Sequence, residues 1–374
     1  MIKVLHIMTD ATLGGAGRVL LQMLRCMDRS RFDVIVAAPK GSTLVGLITE
    51  LGYRVIETEK GHDRSYERGA VKEYRKIIKA ERPDIVHTHS SFAGKLAAFL
   101  LGVKGRIYTR HCVFDMPKML TTFPGKQING LINNTLATSV IAVAHAAADN
   151  LTDTGLDPKK ITVIINGVEP LPTLSAEEKK AFRASLGIGE EEFVSLISAR
   201  LEVYKGHSYL LDTVRLIADQ NKSGKKFKFI MMGEGSCRAE LEQKVKELGL
   251  EDQVLFTGFI HDVLPFCNIS DLSLNCSYGT EASSIALTEG MSLGKPAVVT
   301  DFGGNPYLIT NGVNGIVVPQ KDSQAMADAI LQIADDEDLY RRLSAGAKAE
   351  YHQKFTARAM TEQVEALYEQ AMSR

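Results

Sequence analysis

Tyr278-Gly279-Thr280-Glu281-Ala282-Ser283-Ser284-Ile285-Ala286-Leu287-Thr288-Glu289 runs into Gly294-Lys295-Pro296, the apolar Ala297-Val298-Val299-Thr300, and Gly303-Gly304. The stretch starts just after a strand-like segment, 271–275, and enters a helix-like one, 281–293, carrying two carboxylates eight residues apart. Such an order of strand, loop and helix is the layout of a ligand crevice at the carboxyl ends of parallel strands. It points to sugar and nucleotide rather than to metal or protein.

The same alternation extends outward in both directions. Upstream of residue 170, β-branched runs at 2–8, 33–38, 53–56, 84–88, 105–109, 139–143 and 161–165 alternate with amphipathic segments such as 16–28, 42–51, 68–81 and 93–101. Asn166-Gly167-Val168-Glu169-Pro170-Leu171-Pro172 breaks the pattern and reads as a linker before an acidic helix at 175–186. Strands then resume at 193–198, 227–232, 253–257, 271–275, 296–300 and 315–318, with helices near 207–220, 236–248, 281–293 and 322–334. Strand–helix repetition with short loops and nearly continuous apolar strands predicts α/β architecture, two Rossmann-like doubly wound parallel sheets. The expected domains are 1–170, 171–355, and a final helix, 356–374, packing back toward the first domain. An interdomain cleft is the expected active site.

A chain of 374 residues suits two domains, and 45% hydrophobic with 24% charged residues marks an ordinary globular protein. The net charge of -1 gives no reason to expect nucleic acid. It conceals an asymmetry: residues 1–170 carry 23 Lys+Arg against 16 Asp+Glu, or +7, and the remainder 21 against 29, or -8. A basic first half suits an anionic partner, and Arg68, Lys72, Arg75, Lys76 and Lys79 within 60–82 share a broad helix face that either meets a membrane or lipid acceptor or is plain solvated surface. Five cysteines without CxxC spacing, and a first strand where a signal peptide would lie, lead to the expectation of a cytoplasmic protein with at most peripheral attachment at the inner membrane face.

Several positions carry chemistry. Gly14-Gly15-Ala16-Gly17 follows the first strand and opens a helix, which brings backbone N–H groups close to an anion or simply makes a tight turn. It lacks the dinucleotide fingerprint. Arg200 and Lys205 follow the first strand of the second half, where a guanidinium and an ammonium five residues apart can hold a diphosphate from two sides; a surface pair is the plainer alternative. Glu281 and Glu289 are just over two helical turns apart, so the spacing lines both along one helix with Glu281 at its N-terminus. That favours binding of ligand hydroxyls by at least one of them over an acid–base pair across a cleft, and an N-cap is the plain reading of Glu281. His111 ends a strand and is placed for hydrogen bonding or proton transfer. His87 and His89 share a strand face, but no third ligand stands at metal-binding spacing. His6 carries no signal, Asp115 is an isolated carboxylate near His111, and Gly233-Glu234-Gly235 is a close-approach loop for a base or ribose.

With Asn166-Gly167-Val168, Phe256-Thr257-Gly258 and Gly303-Gly304 added, the order of these motifs resembles the retaining GT-B glycosyltransferases of family 4 along nearly the whole chain. The resemblance implies that the second domain binds a nucleotide-sugar donor and the first an acceptor. Arg200 and Lys205 then neutralise the diphosphate, Glu289 holds the ribose, and Glu281 and His111 contact the donor sugar. Backbone amides of Ala282, Ser283, Ser284 and Ile285 face the donor, and Gly15, Gly17 and Gly233 complete its site. No metal or other cofactor is implied. The expected reaction is retaining transfer from a UDP-sugar to a saccharide or lipid-linked acceptor in cell-surface polysaccharide synthesis. A phosphorylase, a nucleotide-sugar epimerase and a noncatalytic sugar-binding protein are the alternatives. The chain departs from the family pattern at Asn305-Pro306-Tyr307, where an acid is usual, at Ala282-Ser283-Ser284-Ile285, at Glu289-Gly290, and at His145.

Overall fold

The computed structural model describes residues 1–113 and 116–373. The chain divides into two compact units, Met1–Val168 with Ala357–Arg374, and Glu169–Thr356. Unit 1 holds seven parallel strands, β1 (Ile2–Ile7), β2 (Phe32–Pro39), β3 (Arg54–Thr58), β4 (Ile85–His89), β5 (Gly105–Arg110), β6 (Ser139–Ala142) and β7 (Ile161–Val163). Their order is β3-β2-β1-β4-β5-β6-β7. Unit 2 holds six more, β8 (Phe193–Ser198), β9 (Phe227–Met232), β10 (Val254–Gly258), β11 (Leu272–Asn275), β12 (Ala297–Thr300) and β13 (Gly315–Val318), ordered β10-β9-β8-β11-β12-β13. Both sheets are flanked by helices, the doubly wound arrangement expected from the alternating pattern.

The central strands explain why. In β8, Phe193, Val194, Leu196 and Ile197 are all buried, alternate residues joining separate apolar clusters on the two faces of the sheet. Burial of each such side chain contributes about 1.5–3 kcal/mol, so a strand apolar on both faces is stable only under two helical layers. Local signals set the helix ends. Ser175 and Glu178 form a reciprocal capping box at the helix Ala176–Ser185, and Gly249 takes the left-handed conformation after Arg238–Leu248.

The last helix, Ala357–Ser373, packs in unit 1. Its entry is fixed where Ala357 N donates to Val168 O at 2.9 Å. Glu365 accepts from Asp28 N at 2.7 Å and pairs with Arg31 at 3.2 Å, and Tyr368 lies edge-on to Phe32 with ring centroids 5.7 Å apart.

Candidate active site

In both sheets the chain winds outward from a central pair, β1 and β4 in unit 1, β8 and β11 in unit 2. The loops leaving each pair stand at the switch point of the winding, the place at the carboxyl ends of the strands where doubly wound sheets bind ligands. In unit 2 the two loops are those that carry Arg200–Lys205 and Tyr278–Glu281.

Lys205 ends a single tight turn, Val203–Lys205, before the helix His207–Gln220. Its Nζ donates to Glu281 Oε2 at 2.9 Å and to Thr280 O at 2.8 Å. The same carboxylate oxygen accepts from Asn275 Nδ2 at 2.9 Å and from Ser277 Oγ at 3.2 Å. The paired side chains are only 13% and 11% exposed, so this is a charge-assisted contact in a largely desolvated place. Asn275 and Ser277 were not candidates from sequence. They lie within six residues of Glu281, and their position at the end of β11 is the signal that would have found them.

Glu281 does not open a helix. The helix runs from Ile285 to Ser292, and Ser284 is its N-cap, accepting from Leu287 N. Ser284 wins because its hydroxyl satisfies an N–H two to three residues on, as a cap must, whereas the Glu281 side chain is committed to Lys205. Glu281 therefore sits in the loop, and the two carboxylates do not line one helix face. Its backbone is clamped instead by the next crossover: Gly304 N donates to Glu281 O at 3.2 Å, and a Cβ on Gly303 would lie 2.1 Å from that oxygen. Glu289 is on the helix and buried.

Arg200 is exposed, and its Nη2 donates to Tyr204 OH at 2.7 Å. Arg200 Cζ and Lys205 Nζ each lie 5.9 Å from the Tyr204 ring centroid, so one phenol gathers both cations. Tyr204 was missed as a candidate, although it stands between them in sequence. Gly233 leaves β9 at a φ of 148°, and a Cβ there would meet Ala199 O at 2.0 Å, beside Arg200. Ala282 is buried, Ser283 Oγ is buried with no partner among the described residues, and Ile285 is the first helical residue. These backbone amides sit at a helix N-terminus, where an anion is stabilised.

In unit 1, Gly15 begins the helix Gly15–Cys26 with open space around it. Gly17 is buried, and a Cβ there would lie 3.0 Å from both Leu44 methyl carbons, so close helix packing accounts for this glycine. His111 follows β5 and is partly buried, its Nε2 2.9 Å from His89 Nδ1. His89 Nε2 meets His6 Nδ1 at 2.9 Å. His6 Nε2 meets Tyr368 OH at 3.1 Å, and His87 bridges Tyr368 OH at 2.7 Å and Thr109 Oγ1 at 2.6 Å. Burial pushes His6 down to about 3 and His111 down to about 4, and holds His87 and His89 well below the ordinary imidazole range.

The third imidazole that His87 and His89 lack in sequence is thus His6. Parallel pairing of β1 with β4 sets His6 opposite His87, and one ring nitrogen from each of His6, His87 and His89 lies within 4.8 Å of the others. Both nitrogens of all three rings are already engaged in hydrogen bonds, so a cation there would have to displace at least one of them. Asp115 lies outside the described residues.

Two family profiles match the chain: Glycosyltransferase Family 4 over residues 13–170 and Glycosyl transferases group 1 over residues 178–350. The chain is 24% identical to the UDP-Gal:alpha-D-GlcNAc-diphosphoundecaprenol alpha-1,3-galactosyltransferase of Escherichia coli, across 90% of this chain and 89% of the relative. It is also 24% identical to the N-acetyl-alpha-D-glucosaminyl L-malate synthase of Bacillus anthracis, across 81% and 79%. Among solved structures, Anabaena Alr3699/HepE in complex with UDP-glucose shares the fold at a TM-score of 0.83 and 22% identity, covering 99% of this chain and 100% of that one.

Proposed function

The chain belongs to the GT-B glycosyltransferases of group 1 and family 4, and from that premise we propose that it moves a glycosyl group, with retention at the anomeric carbon, from a UDP-linked donor to a saccharide or lipid-linked acceptor. The carrying observation is the Lys205–Glu281 pair at the β8/β11 crevice, with Arg200 beside it. A diphosphate entering that crevice competes with Glu281 for the ammonium. Lys205 and Arg200 then stabilise the charge that develops as the bond from the anomeric carbon to the diphosphate oxygen breaks. Glu281, relieved of its cation, accepts from hydroxyls of the donor sugar, while Glu289 holds the ribose and the amides from Ala282 to Ile285 face the phosphates. The acceptor oxygen bonds the anomeric carbon on the face the diphosphate leaves, and the acceptor proton passes to a diphosphate oxygen. In unit 1, His111 hydrogen-bonds a substrate hydroxyl. The two cations supply the positive charge, so the reaction proceeds without a metal ion. UDP is favoured over other nucleotides by the UDP and UDP-sugar in the names of the relative and the structural neighbour.

Calorimetric titration with UDP, GDP and ADP in the presence of EDTA tests this. Micromolar binding of UDP alone is expected, weakened about ten-fold or more in Arg200→Ala and Glu289→Ala, about 1.4 kcal/mol each. A folded protein that binds none of them, or an NMR spectrum showing an inverted product anomer, would falsify the reading. An epimerase would change the donor sugar with no acceptor present.

The lipid-linked acceptor goes with a cytoplasmic protein resting on the inner membrane face through unit 1. No helix among the described residues is long and apolar enough to cross a membrane. The helix Arg68–Glu81 does expose Arg68, Lys72, Arg75, Lys76 and Lys79, but no large apolar side chain stands among them. The helices Lys118–Thr121 and Gly125–Leu136 do better. Met119, Phe123, Ile128, Leu131 and Ile132 are exposed there, Phe123 at 81% and Leu131 at 72%, and between Asp84 and Asp149 the sequence has one acid, Asp115, against six Lys and Arg. An apolar surface in a basic setting fits the headgroup region of an anionic bilayer, where each lysine adds about 1 kcal/mol. Vesicles containing phosphatidylglycerol should sediment with the protein, and the double change Phe123→Ser and Leu131→Ser should weaken this at least ten-fold. Equal binding by the double variant would place the contact elsewhere.

A further inference from the structure

Six side chains of unit 1 form one unbroken line of hydrogen bonds: Thr109, His87, Tyr368, His6, His89 and His111. The links, in that order, measure 2.6, 2.7, 3.1, 2.9 and 2.9 Å. Burial keeps the four imidazoles neutral near pH 7. A neutral imidazole has one N–H and one lone pair, and each hydroxyl has one proton to give. Five links take five of the six protons, so the line has three ordered states, with the spare proton on His111, on Thr109 or, where His87 and His6 both donate to it, on Tyr368.

A spare proton on Tyr368 would be buried with no other acceptor among the described residues, which leaves the Thr109 end to decide between the other two. Were His87 Nε2–H to donate to Thr109, the buried Thr109 hydroxyl proton would have no acceptor among the described residues. In the opposite sense Thr109 donates to His87, and only oxygen lone pairs stay unused. An unsatisfied buried donor is costly enough to favour the second state by roughly ten-fold or more. His87 Nδ1–H then donates to Tyr368, Tyr368 O–H to His6 Nε2, His6 Nδ1–H to His89 Nε2, and His89 Nδ1–H to His111 Nε2.

We propose that Tyr368, acting through His6 and His89, locks His111 as its Nδ1–H tautomer, so that His111 offers substrate a hydrogen-bond donor and no basic lone pair. Tyr368 is a positioning residue, brought to the line by the helix Ala357–Ser373, which Glu365 anchors to Asp28 and Arg31. The proposal rests on the reading of His111 as a substrate contact. It agrees with a transfer in which the diphosphate takes the acceptor proton, because a donor at His111 can hold a sugar hydroxyl but cannot remove its hydrogen. It also sets all four histidines in the tautomer that free histidine disfavours in water.

Long-range 1H–15N correlation spectra of the ligand-free, 15N-histidine-labelled protein at pH 7.5 read the tautomers directly. Four of the nine histidines, assigned by single His→Gln changes, are expected as Nδ1–H. Tyr368→Phe keeps the ring against Phe32 but cuts the line, and is expected to turn His111 into a tautomer mixture and to lower kcat about ten-fold with donor KM little changed. Thr109→Val removes the deciding proton and gives the same mixture, while Thr109→Ser retains the single tautomer; this pair serves if the Tyr368 variant does not fold. A His111 that is Nε2–H or mixed in the parent protein overturns the proposal, as does a Tyr368→Phe spectrum with His111 unchanged. Stoichiometric shifts of His6, His87 and His89 on adding Zn2+ also overturn it, since the cluster would then be a metal site. If the tautomers are as expected but His111→Gln transfers at the parent rate, the substrate contact fails and the positioning line stands.

Discussion

Lys205→Ala is expected to lower sugar transfer by about 10²- to 10³-fold, the usual effect of removing one preorganised donor from a developing negative charge. Two consequences come from the same atom. In the proposed reaction the ammonium is the cation that follows the leaving diphosphate. It is also the partner of a carboxylate only 11% exposed, which is left with Asn275 and Ser277 alone. Breaking a fully buried pair from one side costs about 3–5 kcal/mol, and the residual exposure here brings the expected loss nearer 2 kcal/mol. The two effects separate by combining variants. If Lys205 and Glu281 are coupled in the resting enzyme, Lys205→Ala with Glu281→Gln should regain most of the lost thermal stability and none of the lost turnover. Turnover by Lys205→Ala at the parent rate would remove the electrostatic account altogether.

The next residue gives the second large effect. Gly206→Ala should cost unit 2 about 3 kcal/mol or more, a fall in its unfolding midpoint of roughly 10 °C, with transfer close to abolished in whatever remains folded. Gly206 has a φ of 76°, and a Cβ would lie 2.1 Å from the carbonyl oxygen of Cys276. No rotamer relieves a clash with backbone, so the exits of β8 and β11 must part. Lys205 immediately precedes Gly206 and Glu281 closely follows Cys276, so their 2.9 Å contact opens as the exits separate. Gly249→Ala is the control, because that residue has a φ of 65° in open surroundings and should lose only about 1 kcal/mol. Equal losses at the two positions would mean that the close approach is not why Gly206 is glycine.

What was legible in the sequence follows from how local each signal is. The apolar run of β8 needs only its own residues, and both sheets were readable from such runs. Ser175 with Glu178 marks a helix start by spacing alone. Ser284 lacks the acid at the third helical position, Leu287 standing there instead, so the true start was hidden and Glu281 was drawn into the helix. The helix Gly125–Leu136 was missed because Asn133, Asn134 and Gly130 are weak helix formers and its apolar residues face outward. His6 could not be linked to His89, 83 residues away, without knowing that β1 and β4 are neighbours. Glu281, Arg200 and Lys205 could be named as candidates from sequence because the loops that carry them follow strands directly. Asn275, Ser277 and Tyr204, which hold them, look like ordinary loop polarity until the loops are folded together.

The return of the helix Ala357–Ser373 to unit 1 bears on the order in which the protein is made. At about 5–20 residues per second, unit 2 separates synthesis of the first 168 residues from that of the helix by roughly 10–40 s. Throughout that interval Phe32 and His6 await Tyr368, and the nascent first unit is exposed where the finished one is sealed. Unit 2 emerges uninterrupted between them, so the unit begun before it on the ribosome is completed after it.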